Sequence, residues 1–215
     1  VGAACAKLLA SKGCNVDSNY TKSEAEAKET QAECEKLGVQ TLLCQADVSN
    51  DADCRRMAQA AIDKWGRIDG LINNAGTTHF VNHANLKGLT ADDFHRIYGV
   101  NVIGPYQMTR AVAAQMKKQG QGAVTNVSSV AGVMGVGSSI AYTASKGALN
   151  TMTLSLARAL GPEIRVNTIC PGFIQGRWLR GGMGDDAYEA AKAAQERNTP
   201  LRKAGTPEDM AQAAV

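Results

Sequence analysis

Strand signals and helix signals alternate along the whole of this chain, and that alternation leaves few folds open. Residues 2–11 are apolar at helical spacing and stop at Gly13, and 14–20 read as a short strand. Ser23-Glu24-Ala25-Glu26 has the form of a capping box, opening a helix that ends at Gly38. A strand is expected within 39–48, then a helix capped by Ser49 and reaching Trp65, then a strand over 68–73. Thr90-Ala91-Asp92-Asp93 caps a long helical region broken near Gly104-Pro105 and ending before Gly120. A strand over 123–127, a helix over 140–160 and a strand over 165–170 follow. Thr206-Pro207-Glu208 starts a last helix, with proline at its first position. Strands joined by helices of this length make parallel βαβ units. Most of the strands are continuous apolar runs, as in a sheet with helices on both faces. The predicted class is therefore α/β, a doubly wound parallel sheet. No linker or internal repeat divides the chain, so 1–215 reads as a single domain. One strand is poorly written: Asp17 and Ser18 stand where apolar residues are expected, which predicts a strand end open to solvent.

Composition excludes several functions. A hydrophobic share of 44% over 215 residues supports a cored domain. The formal charge is only +3 and no basic run occurs, so nucleic-acid binding has no electrostatic support. No apolar stretch approaches the roughly 18 residues that a bilayer span needs, so no membrane role is expected. The six cysteines are scattered without a C-x-x-C pair, which predicts buried free thiols in a reducing cytoplasm. His79 and His83 are four apart but fall in a loop with no acid near in sequence, so no metal site is expected.

Chemistry concentrates at Tyr142-Thr143-Ala144-Ser145-Lys146. Four residues advance a helix by about 6 Å and slightly more than a turn, so the phenol and the ammonium share a face. A lysine charge beside a phenol favours the phenolate and lowers its pKa, which gives a proton donor and acceptor usable near neutral pH. Ser129 lies thirteen residues upstream, after the apolar run 123–127. Asn73-Asn74-Ala75-Gly76 follows another apolar run, Asn101 sits in Val100-Asn101-Val102, and Pro171-Gly172 follows the strand that ends near Cys170.

This order of motifs resembles the short-chain dehydrogenase/reductase family, and is similar above all to the 3-oxoacyl-acyl-carrier-protein reductases. The resemblance runs from Val1-Gly2 to Pro207-Glu208-Asp209 and implies a Rossmann-type, dinucleotide-binding oxidoreductase domain. It also implies that Tyr142 protonates a ketone or aldehyde oxygen and that Ser129 donates a hydrogen bond to that oxygen. Lys146 would hold the ribose hydroxyls of the nicotinamide nucleotide and lower the Tyr142 pKa. Asn101 would complete the set by holding a water that links Lys146 to solvent. Ser128 competes with Ser129, and the interval to Tyr142 selects Ser129.

Further positions are implied to bind the cofactor. Gly2 matches the tail of the family's glycine-rich turn. Asn74, Ala75 and Gly76 form the turn that runs under the adenosine. Asp47 and Val48 match the adenine contact, with a helix N-cap role for Asp47 as the alternative. Pro171, Gly172 and Ile174 match the segment packed on the nicotinamide. The family usually has a threonine where this chain has Gly176. The ribose-reading position at the end of the second family strand is Tyr20-Thr21-Lys22, without a carboxylate. An acid there would suit NAD. Thr21 and Lys22 can instead receive a 2′-phosphate, so NADP is expected with NAD as the alternative.

Residues 176–200 are expected to form a substrate lid hinged at Gly181, Gly182 and Gly184, with Trp178, Leu179 and Tyr188 facing an apolar part of a small-molecule substrate. Packing of these side chains on the core would give the same composition. Gly161-Pro162-Glu163 lacks the basic residues that would greet an acidic carrier protein. The rival functions are an NAD-dependent sugar or alcohol dehydrogenase and a non-catalytic family member serving as a binding subunit. A homotetramer or homodimer is implied, its interface formed by the long helical region and the tyrosine helix through Ala141, Ala148, Met152 and Leu156. The family's first strand, most of its glycine turn and its last strand are expected to lie outside residues 1–215.

Overall fold

The alternating pattern folds as written. A computed structural model describes residues 1–215. Its elements run α1 (Gly2–Ser11), β1 (Val16–Tyr20), α2 (Glu24–Glu35), β2 (Thr41–Gln45), α3 (Asp51–Trp65), β3 (Gly70–Asn73) and α4 (Ala91–Tyr98). A π-helical turn (Gly99–Ile103) leads into α5 (Gly104–Gln119). Then come β4 (Gly122–Val127), α6 (Ala131–Met134), α7 (Ile140–Leu160), β5 (Ile164–Ile169), α8 (Arg177–Met183), α9 (Asp185–Asn198) and α10 (Pro207–Ala214).

All strand pairs are parallel. They hydrogen-bond in two groups, β1–β2 and β3–β4–β5. Helices cover both faces. On one side Val112 and Met116 of α5 and Ala58 of α3 pack on Val124, Ile164 and Val166. On the other, Ala4 and Cys5 of α1 meet Ala211 and Ala214 of α10. Alternation along β4 carries this division, because Val124 faces α5 while the Thr125 hydroxyl donates to Ala214 O at 3.1 Å.

A buried polar ladder ties the first layer together. Asn73 Nδ2 donates to Asn126 Oδ1 at 2.9 Å, and Asn126 Nδ2 donates to Thr153 Oγ1 of α7 at 2.9 Å. Each amide thereby links a strand to its neighbour or to a helix without leaving a donor stranded in the core.

Two helix starts differ from the sequence reading. The Asn50 side chain, not Ser49, caps α3 by accepting from Ala52 N. The box at Ser23 does not close, because Ser23 makes no cap bond and Glu26 pairs with Arg177 of α8 at 2.9 Å. The boxes at Thr90–Asp93 and Thr206–Asp209 form in full.

Asp17 corrects a third expectation. It is the second residue of β1, paired with Leu42, and its Oδ1 is buried with no hydrogen-bond partner. Burial holds this carboxyl at about 6, above its ordinary value, while the Cys44 thiol and Lys64 draw it back down. The folded chain therefore keeps a proton that the unfolded chain releases between about pH 4 and 6. Stability from this residue is greatest below pH 4 and falls as pH rises through 6, by up to about 3 kcal/mol. Asp17→Asn cannot ionise. It is expected to unfold at a higher urea midpoint than the parent at pH 7.5 and to lose that advantage near pH 4. Equal midpoints at pH 7.5 would show that the carboxylate carries no burial cost.

Candidate active site

All five strands end beside a predicted site segment. Tyr20 closes β1, Asp47 lies just past β2, Asn74 to Gly76 follow β3, and Ser128 and Ser129 follow β4. Pro171, Gly172 and Ile174 come after β5. The carboxyl edge of a parallel α/β sheet is where such folds bind ligands.

Local hydrogen bonds set the tyrosine helix against this edge. Ser139 caps α7 by accepting from Tyr142 N at 3.3 Å. Ser128 is buried and its hydroxyl donates to Lys146 O at 3.2 Å, so Ser128 serves the backbone of α7. Ser129 accepts from Ala131 N at 3.1 Å and lies beside the Tyr142 phenol. Ser129 is thus the serine that meets the tyrosine.

Asn101 reaches the same place through an irregular turn. Pro105 has no N–H, so the α-helical bond back to Asn101 O cannot form. Gly104 N–H instead reaches Gly99 O, five residues back, and closes a π turn. The turn holds Asn101 fully buried. Its Oδ1 accepts from Thr77 N at 2.8 Å, and its Nδ2 donates to Thr77 O at 2.9 Å and Ser145 Oγ at 3.0 Å. One side chain therefore clamps the segment after β3 to α7. The break expected at Gly104-Pro105 is this turn, and the helical path continues through it.

Lys146 is 4% exposed. Its ammonium donates one proton to Val127 O at 2.8 Å, and the other two have no protein acceptor. Burial pulls its pKa down to about 8. Burial also raises the Tyr142 pKa, and the Ser129 hydroxyl opposes the rise. The expectation that Lys146 lowers the phenol's pKa is corrected here. The ammonium lies 5.6 Å from the ring centroid and is turned to Val127 O, so loss of solvent dominates.

The edge suits an elongated cofactor carrying phosphates and hydroxyls. α1 begins at Gly2, beside Asn74, so its first-turn backbone N–H groups lie at this edge. A Cβ on Gly2 would come within 2.7 Å of Asn74 Nδ2, so the start of α1 is seated closely on the Asn74 side chain. At Gly76 a Cβ would lie 3.6 Å from Asn101 Oδ1 and 3.8 Å from Lys146 Nζ, so this turn runs directly beside both side chains. Thr21, Lys22 and Asp47 are exposed along this edge, and Val48 is buried. Asp47 accepts from Ser49 N at 2.9 Å and from the Ser49 hydroxyl at 2.7 Å, which removes the N-cap alternative. Ala75 packs under the β2 side of the core, and Ile174 bridges to Gly205.

The lid region is helical. Gly181 and Gly182 lie inside α8, and only Gly184 (φ 83°) makes a turn, between α8 and α9. Trp178 packs against Tyr142, their ring centroids 6.0 Å apart, and Leu179 is half-buried beside it. Tyr188 is not in the pocket. It is 4% exposed, its hydroxyl accepts from Gly176 N at 3.2 Å, and its ring packs on Phe173 at 5.3 Å. It is a post under the lid. The sequence reading missed Phe80, whose ring lies 5.7 Å from Trp178. A lone aromatic in an irregular loop carries no periodic signal. His79 does have an acid at hand, since its Nδ1 meets Asp93 Oδ1 at 3.0 Å.

A family model described as enoyl-(acyl carrier protein) reductase matches residues 1–215. A Streptomyces violaceoruber protein assigned as granaticin polyketide synthase ketoacyl reductase 2 is 38% identical over 215 residues, covering 100% of this chain and 84% of the relative. A solved structure from Burkholderia xenovorans, assigned as a short-chain dehydrogenase/reductase, superposes with a TM-score of 0.90 at 40% identity, over 99% of this chain and 84% of that one. NAD+-bound xylitol dehydrogenase superposes with a TM-score of 0.88 at 28% identity, over 99% and 85%.

Proposed function

The chain belongs to the short-chain dehydrogenase/reductase family, an oxidoreductase family acting on CH–OH groups with NAD or NADP, and from that premise we propose that it is an NADP(H)-dependent reductase of a ketone, in the manner of 3-oxoacyl reductases. The observation that carries this reading is the meeting of Ser129, Tyr142 and a buried Lys146 with two protons to give.

When bound, the nicotinamide nucleotide supplies the hydride. The chain's own residues handle the oxygen. Ser129 donates a hydrogen bond to the carbonyl oxygen and favours the negative charge that builds there. Tyr142 gives its hydroxyl proton to that oxygen and takes it back in the reverse direction. The Lys146 ammonium would hold the ribose hydroxyls with the two protons that Val127 O leaves unused. Asn101 keeps the 76–77 backbone and α7 at a fixed distance, so these groups stay aligned. Gly2, Asn74 and Gly76 would allow close backbone approach of the dinucleotide, Asp47 and Val48 would hold its adenine end, and Pro171, Gly172 and Ile174 would back its nicotinamide end.

Lys22 supports NADP, because no acid stands at the ribose-reading edge and the lysine is exposed there. Lys22→Ala is expected to weaken NADPH binding about tenfold and leave NADH nearly unchanged. Titration of each nucleotide by fluorescence reads this. Equal losses, or a parent protein that prefers NADH, would move the reading to the NAD-dependent sugar or alcohol dehydrogenase, which the likeness to xylitol dehydrogenase favours.

The proposed assembly is a homodimer or homotetramer through α5 and α7. Ala141 is fully buried and Leu156 packs on the chain's own core, so neither is available to a partner. Ile103, Tyr106 and Leu154 are exposed on the same helical region and offer the apolar surface instead. No helix is long and apolar enough to cross a membrane.

A further inference from the structure

Three aromatic rings stand in a row at the mouth of the site. Tyr142 and Trp178 are 6.0 Å apart at 45°, and Trp178 and Phe80 are 5.7 Å apart at 55°. They come from three separate segments, α7, α8 and the loop after β3. Trp178 remains 49% exposed, so its contacts with the other two leave much of its surface open. The backbone is built around this row. A Cβ on Gly182 would come within 2.0 Å of Phe80 Cε2, so α8 sits directly on the Phe80 ring. On the other side of the tyrosine, a Cβ on Gly137 would be 3.6 Å from Tyr142 Cδ1. Val133, Met134 and Val136 lead into that glycine and are all exposed.

Charge is absent from this wall in usable form. The cations that flank the rings in sequence already have acidic partners. His79 meets Asp93, Arg177 meets Glu26 at 2.9 Å, and Arg180 is shared by Asp185 and Glu189. A carboxylate or phosphate on the substrate would have to compete with these acids for the flanking cations and would lose part of its hydration against the rings. A flat, uncharged ring loses nothing of that kind and gains face and edge contacts with the indole.

We propose that the open face of Trp178, backed by Phe80, is one wall of an aromatic slot that selects an uncharged ketone bearing a planar ring next to the carbonyl. The slot fixes the ring so that the carbonyl oxygen reaches the Tyr142 hydroxyl. This assignment rests on the reductase reading above and names the substrate class of the same site. Tyr142 belongs to the proton-transfer machinery, whereas Trp178 and Phe80 determine specificity.

The test compares a naphthyl methyl ketone with 2-butanone, reading kcat/KM with NADPH for the parent and for Trp178→Ala, Trp178→Phe and Phe80→Leu. The parent is expected to favour the aryl ketone at least tenfold. Trp178→Ala and Phe80→Leu are expected to lower the aryl value about tenfold and to leave the 2-butanone value within a few-fold, with Trp178→Phe restoring most of the loss. A loss shared equally by both ketones would assign the rings to packing of α8 and overturn the slot. So would a parent without aryl preference. A second arm separates this failure from that of the reductase reading. In a Trp65→Phe background Trp178 is the remaining tryptophan, and equilibrium dialysis with the naphthyl ketone accompanies its emission. Binding with quenched Trp178 emission but no turnover would sink the reductase reading and support the slot. Absence of binding would overturn the slot.

Discussion

Tyr142→Phe is expected to lower turnover by about 10²–10⁴-fold, the usual contribution of a positioned general acid. Dinucleotide affinity and melting temperature should change little. The reason is local. Phenylalanine keeps the ring between Trp178 and Gly137 and removes only the hydroxyl beside Ser129. Single-turnover reduction, followed by loss of NADPH absorbance, isolates the proton-transfer step from release. Near-parental rates in that measurement would remove Tyr142 from the mechanism.

The second large effect is expected at Gly132. A Cβ there would meet the Lys146 carbonyl carbon at 2.4 Å and Gly147 N at 2.6 Å. These are backbone atoms of α7 and cannot rotate away. Gly132→Ala must push α6 and α7 apart at the very residue that carries the ammonium. Overpacking of this kind costs about 1–3 kcal/mol or more. A shift of about 1 Å in a reacting group costs on the order of 10²-fold in rate. Both activity and melting temperature should therefore fall, and dinucleotide affinity with them. Gly147 is the contrast. Its added Cβ would lie 3.4 Å from Gly132 O, an ordinary contact. Alanine also suits a helix interior better than glycine by about 1 kcal/mol. Gly147→Ala is expected to hold or raise the melting temperature. A Gly132→Ala protein as active and stable as the Gly147→Ala protein would contradict the close seating of the two helices.

These contrasts separate what a sequence can reveal from what it hides. The α7 helix was legible to its ends, because Ser139 and Gly161 bracket an apolar, alanine-rich run. Ser129, Tyr142, Lys146 and Asn101 were singled out by the resemblance, and the fold sets Ser129 and Lys146 near the Tyr142 ring while Asn101 ties Thr77 to α7. Other features depend on partners far along the chain. The Ser23 box looked complete, yet Glu26 turns to Arg177, 151 residues away. Asp17 looked like a frayed strand end, but strand pairing buries it. Tyr188 looked like a pocket aromatic, but its hydroxyl is occupied by the Gly176 backbone. Phe80 became visible only when α8 folded onto it. Local propensity writes the elements, and long-range contact decides where an isolated side chain points.

The π turn at Gly99–Ile103 has a consequence for how this chain can change in length. Its closing bond encloses one residue more than an α turn. Deleting a residue there would remove the extra residue while Pro105 still leaves one helical bond unmade, and helix content measured by circular dichroism would barely move. The helix upstream would nevertheless rotate by about 100° relative to α5. Asp93 would swing away from His79, and the Asn101 amide would no longer straddle the Thr77 backbone. A loss of three nucleotides at this point would therefore spare the secondary structure and dismantle the site. Residue count across these five positions is therefore as constraining as the asparagine they carry.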